Sequence, residues 1–394
     1  MKKNICFIFL FVLVFLVAIS YHPQFLNLNT KGGNNPISPY IIYSTIIVAV
    51  LAFKPSLCLK ERLVKLYLAL FFAVLLSALL FSGLGYSSSG LWIEARTIVL
   101  PLLFIIIGYC LELSKKQIII LCLLFGIVVS FSAMSQVLAN FGAFVIEESN
   151  YVTSKNSLGA LVATASIVSF SLAYMLRERI AFIILFVALA VFLFVLVLTI
   201  RCRTSTLCIL FFIVYFVLKT KLFRLKHLLM LLVLFLVIFL VSRYTDLLSS
   251  AFNYAYESFT LNHEGDLTAD RTRRNIEAWA IIQNSPFLGR MSLPANIDWV
   301  HNYFLRVTSD YGFLGALPLL LLYVIVILYV VRSLIIIELN RIYNLGYVAM
   351  LVPLITSLAE PTFPFGPGTA VFFSFFLFGL SISKSNSSRI TLLH

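Results

Sequence analysis

IAFIILFVALAVFLFVLVLT, residues 180–199, runs from end to end without a charged residue. In a helix it extends about 30 Å, the thickness of a bilayer's hydrocarbon layer. Arg177 and Arg179 precede it, and Arg201 and Arg203 follow it. The run therefore reads as a transmembrane helix ending in basic residues on both sides.

Outward from it, the same reading applies to residues 4–20, 38–53, 66–83, 92–111, 117–138, 157–176, 204–218, 228–242, 313–331, 343–359 and 367–383. The expected fold is an all-α polytopic membrane protein with about twelve transmembrane helices. Composition agrees, because the 394 residues are 61% hydrophobic and 11% charged, with a mean hydropathy of +1.03. Soluble domains carry roughly 25% charged residues. A β-barrel would show short alternating segments instead. The division expected is residues 1–242 for the first nine helices, 243–312 for an extramembrane loop, and 313–394 for the last three helices and a tail.

MKKNICFIFLFVLVFLVAIS at the start has the basic and apolar parts of a signal peptide, but no small-x-small cleavage site follows before the polar segment 21–37. It is expected to stay as the first helix. Cys6, Cys58, Cys110, Cys122, Cys202 and Cys208 have no metal-ligand spacing, so neither a zinc site nor a disulfide framework is indicated.

The net charge of +13 would suggest nucleic acid in a soluble protein. Here the basic residues lie in short connections and report orientation, not a nucleic-acid partner. With the N-terminus inside, each inside connection is basic: Lys2 and Lys3, Lys54 to Lys65, Lys115 and Lys116, Arg177 and Arg179, Lys219 to Lys226, Arg332 and Arg341, then Lys384 and Arg389. Both termini are therefore expected inside, and residues 243–312 outside.

That outer loop holds most of the long polar stretch of residues 268–314. In NIEAWAIIQNSPF, residues 275–287, Ile276, Trp279, Ile282 and Ala280 suggest a helical apolar face closed by Asn284-Ser285-Pro286. The loop is expected to form short amphipathic helices lying at the interface.

Arginines supply the first candidate chemistry. Arg201 and Arg203, at the outer junction of two helices, read either as interfacial anchors or as a fork of donors for a pyrophosphate. Arg271, Arg273 and Arg274 precede an amphipathic helix and read either as a solvated face paired with Asp266, Asp270 and Glu277 or as an anion site. His301, followed by Asn302 where the loop re-enters the membrane, is placed to take a proton from a hydroxyl or to hold that hydroxyl in line. Glu360 lies in a segment broken by Pro361, Pro364 and Pro367, where a carboxylate either orients His301, pairs with an arginine, or marks the water boundary. Glu94 and Arg96 form a similar, weaker pair.

The ordered elements Arg271, Asn284-Ser285-Pro286-Phe287-Leu288-Gly289, His301-Asn302-Tyr303-Phe304-Leu305 and Tyr311-Gly312-Phe313-Leu314-Gly315 resemble the O-antigen ligase and polymerase superfamily. Thr199-Ile200-Arg201-Cys202-Arg203 resembles its arginine-bearing junction, with Arg203 the favoured equivalent. The sequence departs from that pattern after Gly289, where Arg290-Met291-Ser292 replaces a Gly-x-Gly, and the turn's proline is displaced by one.

The resemblance implies a metal-independent GT-C type glycosyltransferase with no cofactor. Such an enzyme takes a glycan from undecaprenyl pyrophosphate at the periplasmic face of the bacterial inner membrane. His301 and Arg271 would be catalytic, while Arg201, Arg203, Arg273, Arg274, Asn302, Glu360 and Arg96 would bind pyrophosphate or substrate. The acceptor would be a second lipid-linked repeat unit in a polymerase, the favoured reading, or lipid A-core in a ligase. A lipid-oligosaccharide flippase is the non-enzyme alternative. Implied partners are the undecaprenyl-pyrophosphate-linked glycan, the lipid bilayer, a chain-length regulator and a flippase.

Overall fold

Backbone amides in hydrocarbon find no water, so an apolar run of this length satisfies its hydrogen bonds within itself, as a helix. The computed structural model describes residues 2–28, 35–54, 60–141, 155–220, 271–292 and 300–390. Among these residues the apolar runs are helical, and no strand occurs.

In chain order the helices are α1 (Lys2–Ile19), α2 (Ser38–Ala52), α3 (Arg62–Gly83), α4 (Ser89–Cys110), α5 (Lys115–Ala139), α6 (Lys155–Met175) and α7 (Ile180–Thr199). There follow α8 (Arg203–Thr220), α9 (Arg271–Asn284), α10 (Tyr303–Ile336), α11 (Leu345–Ala349), α12 (Leu351–Thr356) and α13 (Gly368–Ile390). Eight of these are long and apolar enough to cross a membrane, namely α1, α3 to α8, and α10. Shorter apolar helices cover 38–52, 342–356 and 368–383. The chain is an all-helical, multi-pass membrane protein. The expected span 228–242 lies outside the described residues. Cys110, expected to be unpaired, is in a disulfide bond.

Two helices form the centre. Residues 158–169 of α6 and 370–382 of α13 are buried without interruption, as expected of helices apolar all round. Glycines let α13 reach its neighbours. A methyl group added at Gly108 of α4 would lie 2.0 Å from the Phe376 carbonyl oxygen, and one at Gly379 would lie 2.2 Å from that of Ile105. Two helices thus meet backbone to backbone, the close approach that small residues provide in membranes. Phenylalanines fill the remaining space, with Phe373 stacked on Phe125 at 3.9 Å and Phe372 edge-on to Phe104 at 4.8 Å.

The long helices run alternately up and down, which sorts their connections to two ends. At one end Lys3 bonds Glu112, and Lys219 donates to the Ile335 carbonyl. At the other, Tyr21 bonds Thr369, Gln136 donates to the Leu26 carbonyl, and Asn156 bonds Glu360. The loop helix α9 and the start of α10 belong to this second end, because Asn302 donates to the Leu358 carbonyl.

A kink falls at residue 312, where the loop was expected to end, and the stretch before it, expected as loop, is helical. Helix α10 begins at Tyr303 and carries this break at Gly312, with φ 60° and ψ −179°. The polar residues that made 303–312 look like loop are tied into the fold. Asn302 caps the helix by accepting from the Leu305 N–H at 3.0 Å. At the break, the Phe313 and Leu314 N–H groups donate to the carbonyls of Pro286 and Phe287, at 2.7 and 3.2 Å. Gly289, with φ 55°, faces the same junction, where a methyl group would lie 2.5 Å from the Gly312 nitrogen.

Gly312 thus needs both a backbone angle reserved for glycine and the absence of a side chain. Gly312→Ala is expected to lower the unfolding midpoint of the detergent-solubilised protein by several degrees, read as loss of the monodisperse peak after heating. Gly83→Ala, where nothing lies within 4 Å of the added methyl, should leave that midpoint unchanged.

Candidate functional site

Arg201 stands in the tight turn from α7 to α8. Its φ is 58°, the left-handed region. Its N–H donates to the Leu198 carbonyl, and that of Cys202 to the Val197 carbonyl, at 3.0 and 3.5 Å. Those bonds form a Schellman stop, whose left-handed position usually holds glycine. An ordinary side chain there costs roughly 1–2 kcal/mol, so the turn holds Arg201 in a strained conformation.

Sequence distance hides what this turn meets. Cys202 is buried, and its thiol donates to Asn156 Oδ1 at 3.5 Å and lies 3.0 Å from Ser205 Oγ. Burial pushes that thiol above its ordinary range, with the Ser205 hydrogen bond opposing, so it serves as a neutral donor. Asn156 Nδ2 in turn donates to Glu360 Oε1 at 2.6 Å. A single amide therefore joins α6, the turn of residues 200–203, and the segment leading into α13. Around it, Lys155 lies within electrostatic reach of Arg201, Arg203 and Glu360. Glu360 is buried, and the three cations are half-buried.

A second group adjoins this one through the segment of residues 357–361. Tyr303 N–H donates to the Ser357 carbonyl, Asn302 Nδ2 to that of Leu358, and Arg306 Nε to that of Pro361. The chain around Glu360 is thus clasped to the start of α10, beside His301. His301 is half-buried, with Nε2 3.2 Å from Arg274 Nη1. A guanidinium only donates, so Nε2 accepts, and a neutral ring then carries its proton on Nδ1. Arg274 reaches inward because α9 presents Arg274, Asn275, Ala278, Ile281 and Ile282 to the protein.

Of the expected apolar face of α9, one member departs. Ile282 is buried, but Ile276, Trp279 and Ala280 point outward; Ile276 is 65% and Trp279 51% exposed. At a membrane boundary the outside is not uniformly water, so polar residues turn toward the site and bulky apolar ones toward the surroundings.

The other expected residues divide. Arg271 begins α9, and its side chain lies outside the described groups. Arg273 is exposed and paired with Glu277 at 2.6 Å, the solvated alternative. Asn302 is engaged as the helix cap and latch already described. Arg96 is exposed and is not paired with Glu94. Glu94 instead meets Arg306 at 2.7 Å, both well buried.

Arg306 also lies 3.8 Å from Asp310, which bonds Arg290 at 3.1 Å. This chain of ions ties α4, α10 and the 3-10 turn Gly289–Ser292 together. No local pattern announces it, since its members are far apart in sequence; the cue available was charge inside an apolar span. Lys155 and Asn156 were missed because they fall at the edge of a polar connection.

No protein-family model matches the chain, and no curated protein matches it.

The ion chain predicts a contrast within α4. Glu94→Ala leaves a buried guanidinium without its nearest carboxylate and is expected to cost about 3–5 kcal/mol. Arg96→Ala, on the exposed face, should stay within roughly 0.5 kcal/mol of the parent. Thermal unfolding of the purified variants checks the difference.

Proposed function

We propose that the chain is a glycosyltransferase of the O-antigen polymerase kind. It moves a glycan from undecaprenyl pyrophosphate to a lipid-linked repeat unit at the periplasmic face of the inner membrane. The observation that carries this reading is the convergence of Lys155, Arg201, Arg203, Glu360, Arg274 and His301 at one end of an apolar bundle.

A membrane-bound donor presents its pyrophosphate at that depth, and half-buried guanidinium groups are suited to it. The resemblance to the O-antigen ligase and polymerase superfamily supports the same reading. Two of its motifs, Asn284 to Gly289 and Tyr311 to Gly315, meet backbone to backbone. Orientation follows from the basic residues at the opposite end, which favour the cytoplasm and leave the site outside. With about twelve spans, this architecture is of the GT-C type.

In the proposed reaction the acceptor hydroxyl oxygen bonds the anomeric carbon as that carbon's bond to the pyrophosphate oxygen breaks. The bonding pair leaves with the pyrophosphate, and arginines neutralise its charge, the kind of electrostatic stabilisation that contributes most in such sites. The hydroxyl proton leaves toward His301 or solvent. While Arg274 occupies Nε2, the ring can only hold the hydroxyl; a pyrophosphate that draws Arg274 away frees Nε2 to take the proton.

A ligase would use the same donor chemistry on lipid A-core. The shortness of the outer loop favours the polymerase. A flippase would carry charged residues along a central path, whereas the buried stretches of α6 and α13 hold none.

Deleting the gene should leave lipopolysaccharide with single repeat units and no ladder on a gel. Loss of all O-antigen with accumulated lipid-linked polymer would instead identify a ligase, and repeats trapped in the cytoplasmic leaflet a flippase. His301→Ala should fail to restore the ladder while still inserting in the membrane. Arg203→Lys should restore little of it, because an ammonium lacks the two-pronged geometry.

A further inference from the structure

Lys155 stands outside the arginine and histidine set, yet it occupies the same end of the molecule. It is the first described residue of α6, half-buried, and within electrostatic reach of Arg201, Arg203 and Glu360. Its placement is set by close packing one turn further along. A methyl group at Gly159 would lie 2.6 Å from Cys202 Sγ and 2.8 Å from Ser205 Oγ, so only glycine lets the turn between α7 and α8 lie flat on α6.

Residues four apart share a helix face, which puts Lys155 on the face of α6 that meets this turn. The Cys202–Asn156–Glu360 hydrogen bonds lock the same three segments together. Three cations from two elements therefore share this end of the protein with the carboxylate that Asn156 holds.

We propose that Lys155 is a further phosphate ligand of this end of the protein, one that separates a pyrophosphate from a monophosphate. The inference rests on the donor site proposed above. Arg201 and Arg203 belong to one short turn, whereas Lys155 comes from a different helix. A single phosphate is held by the paired arginines. The second phosphate of a pyrophosphate extends the anion to the lysine, whose compact ammonium supplies a point charge on a long stem.

The test uses the full-length protein in nanodiscs and titration calorimetry with three probes: farnesyl pyrophosphate, farnesyl monophosphate and inorganic pyrophosphate. The parent should bind farnesyl pyrophosphate tightest. Lys155→Gln should weaken that binding roughly tenfold or more, as expected for a lost charge-assisted hydrogen bond. It should leave the monophosphate unchanged, and Lys155→Arg should restore most of the loss. Equal unfolding midpoints for the three proteins would show that the loss is one of binding.

Should Lys155→Gln bind farnesyl pyrophosphate as the parent does while Arg203→Gln does not, the inference about Lys155 is overturned and the donor site stands. If the parent binds none of the probes, the donor site itself falls. Inorganic pyrophosphate binding as tightly as the lipid would assign the site to a soluble anion and overturn the lipid reading.

Discussion

Breaking a helix beside a lipid environment frees backbone donors that hydrocarbon cannot satisfy, and the site end of this protein is built on how one such break is closed. Gly312 interrupts α10, and the N–H groups of Phe313 and Leu314 are taken up by the carbonyls of Pro286 and Phe287. The exchange requires glycine on both sides, because Gly289 and Gly312 approach within a distance no side chain allows. It fixes the turn after α9 against α10, and α9 in turn delivers Arg274 to His301. One backbone junction thereby sets the height of the outer helix against the membrane bundle.

A second constraint acts from the centre. Residues 158–169 of α6 and 370–382 of α13 are buried on every side, so these stretches are held at fixed positions by the packing of the rest. Asn156 near the end of one bonds Glu360 just before the other. The Arg201–Arg203 turn is drawn onto α6 by the Cys202 contact. The ion chain from Glu94 through Arg306 and Asp310 to Arg290 braces the start of α10 from the other side. Charged groups otherwise costly in an apolar protein are thus held at one end by buried hydrogen bonds.

Much of the helical architecture could be read from residues such as 180–199, because an apolar run of membrane length has one structural outcome in hydrocarbon. The start of α10 could not, since Arg306, Ser309 and Asp310 look like loop until their partners on α4 and the 3-10 turn are known. On α9, Ile276, Trp279 and Ala280 share an outward side as read, whereas Ile282 is buried. Periodicity reports an apolar side, but whether that side meets the protein or the membrane boundary depends on surroundings that the periodicity does not encode. Within the candidate site, Arg201, Arg203, Arg274, His301 and Glu360 were visible as polar residues at span ends. Lys155, Asn156 and the Glu94–Arg306 pair depend on contacts between distant segments; the local pairing of Arg273 with Glu277 was one of the two readings of its cluster.

The central claim is that this end of the bundle performs transfer from a lipid pyrophosphate without a metal. Its most direct measurement is reconstitution of the purified chain in liposomes with lipid-linked repeat units extracted from cells lacking the gene. The account predicts a ladder of lipid-linked oligomers, with undecaprenyl pyrophosphate released for each linkage formed and no loss of rate in the presence of EDTA. Repeat units recovered unextended by a correctly folded protein, or extension abolished by EDTA, would contradict it.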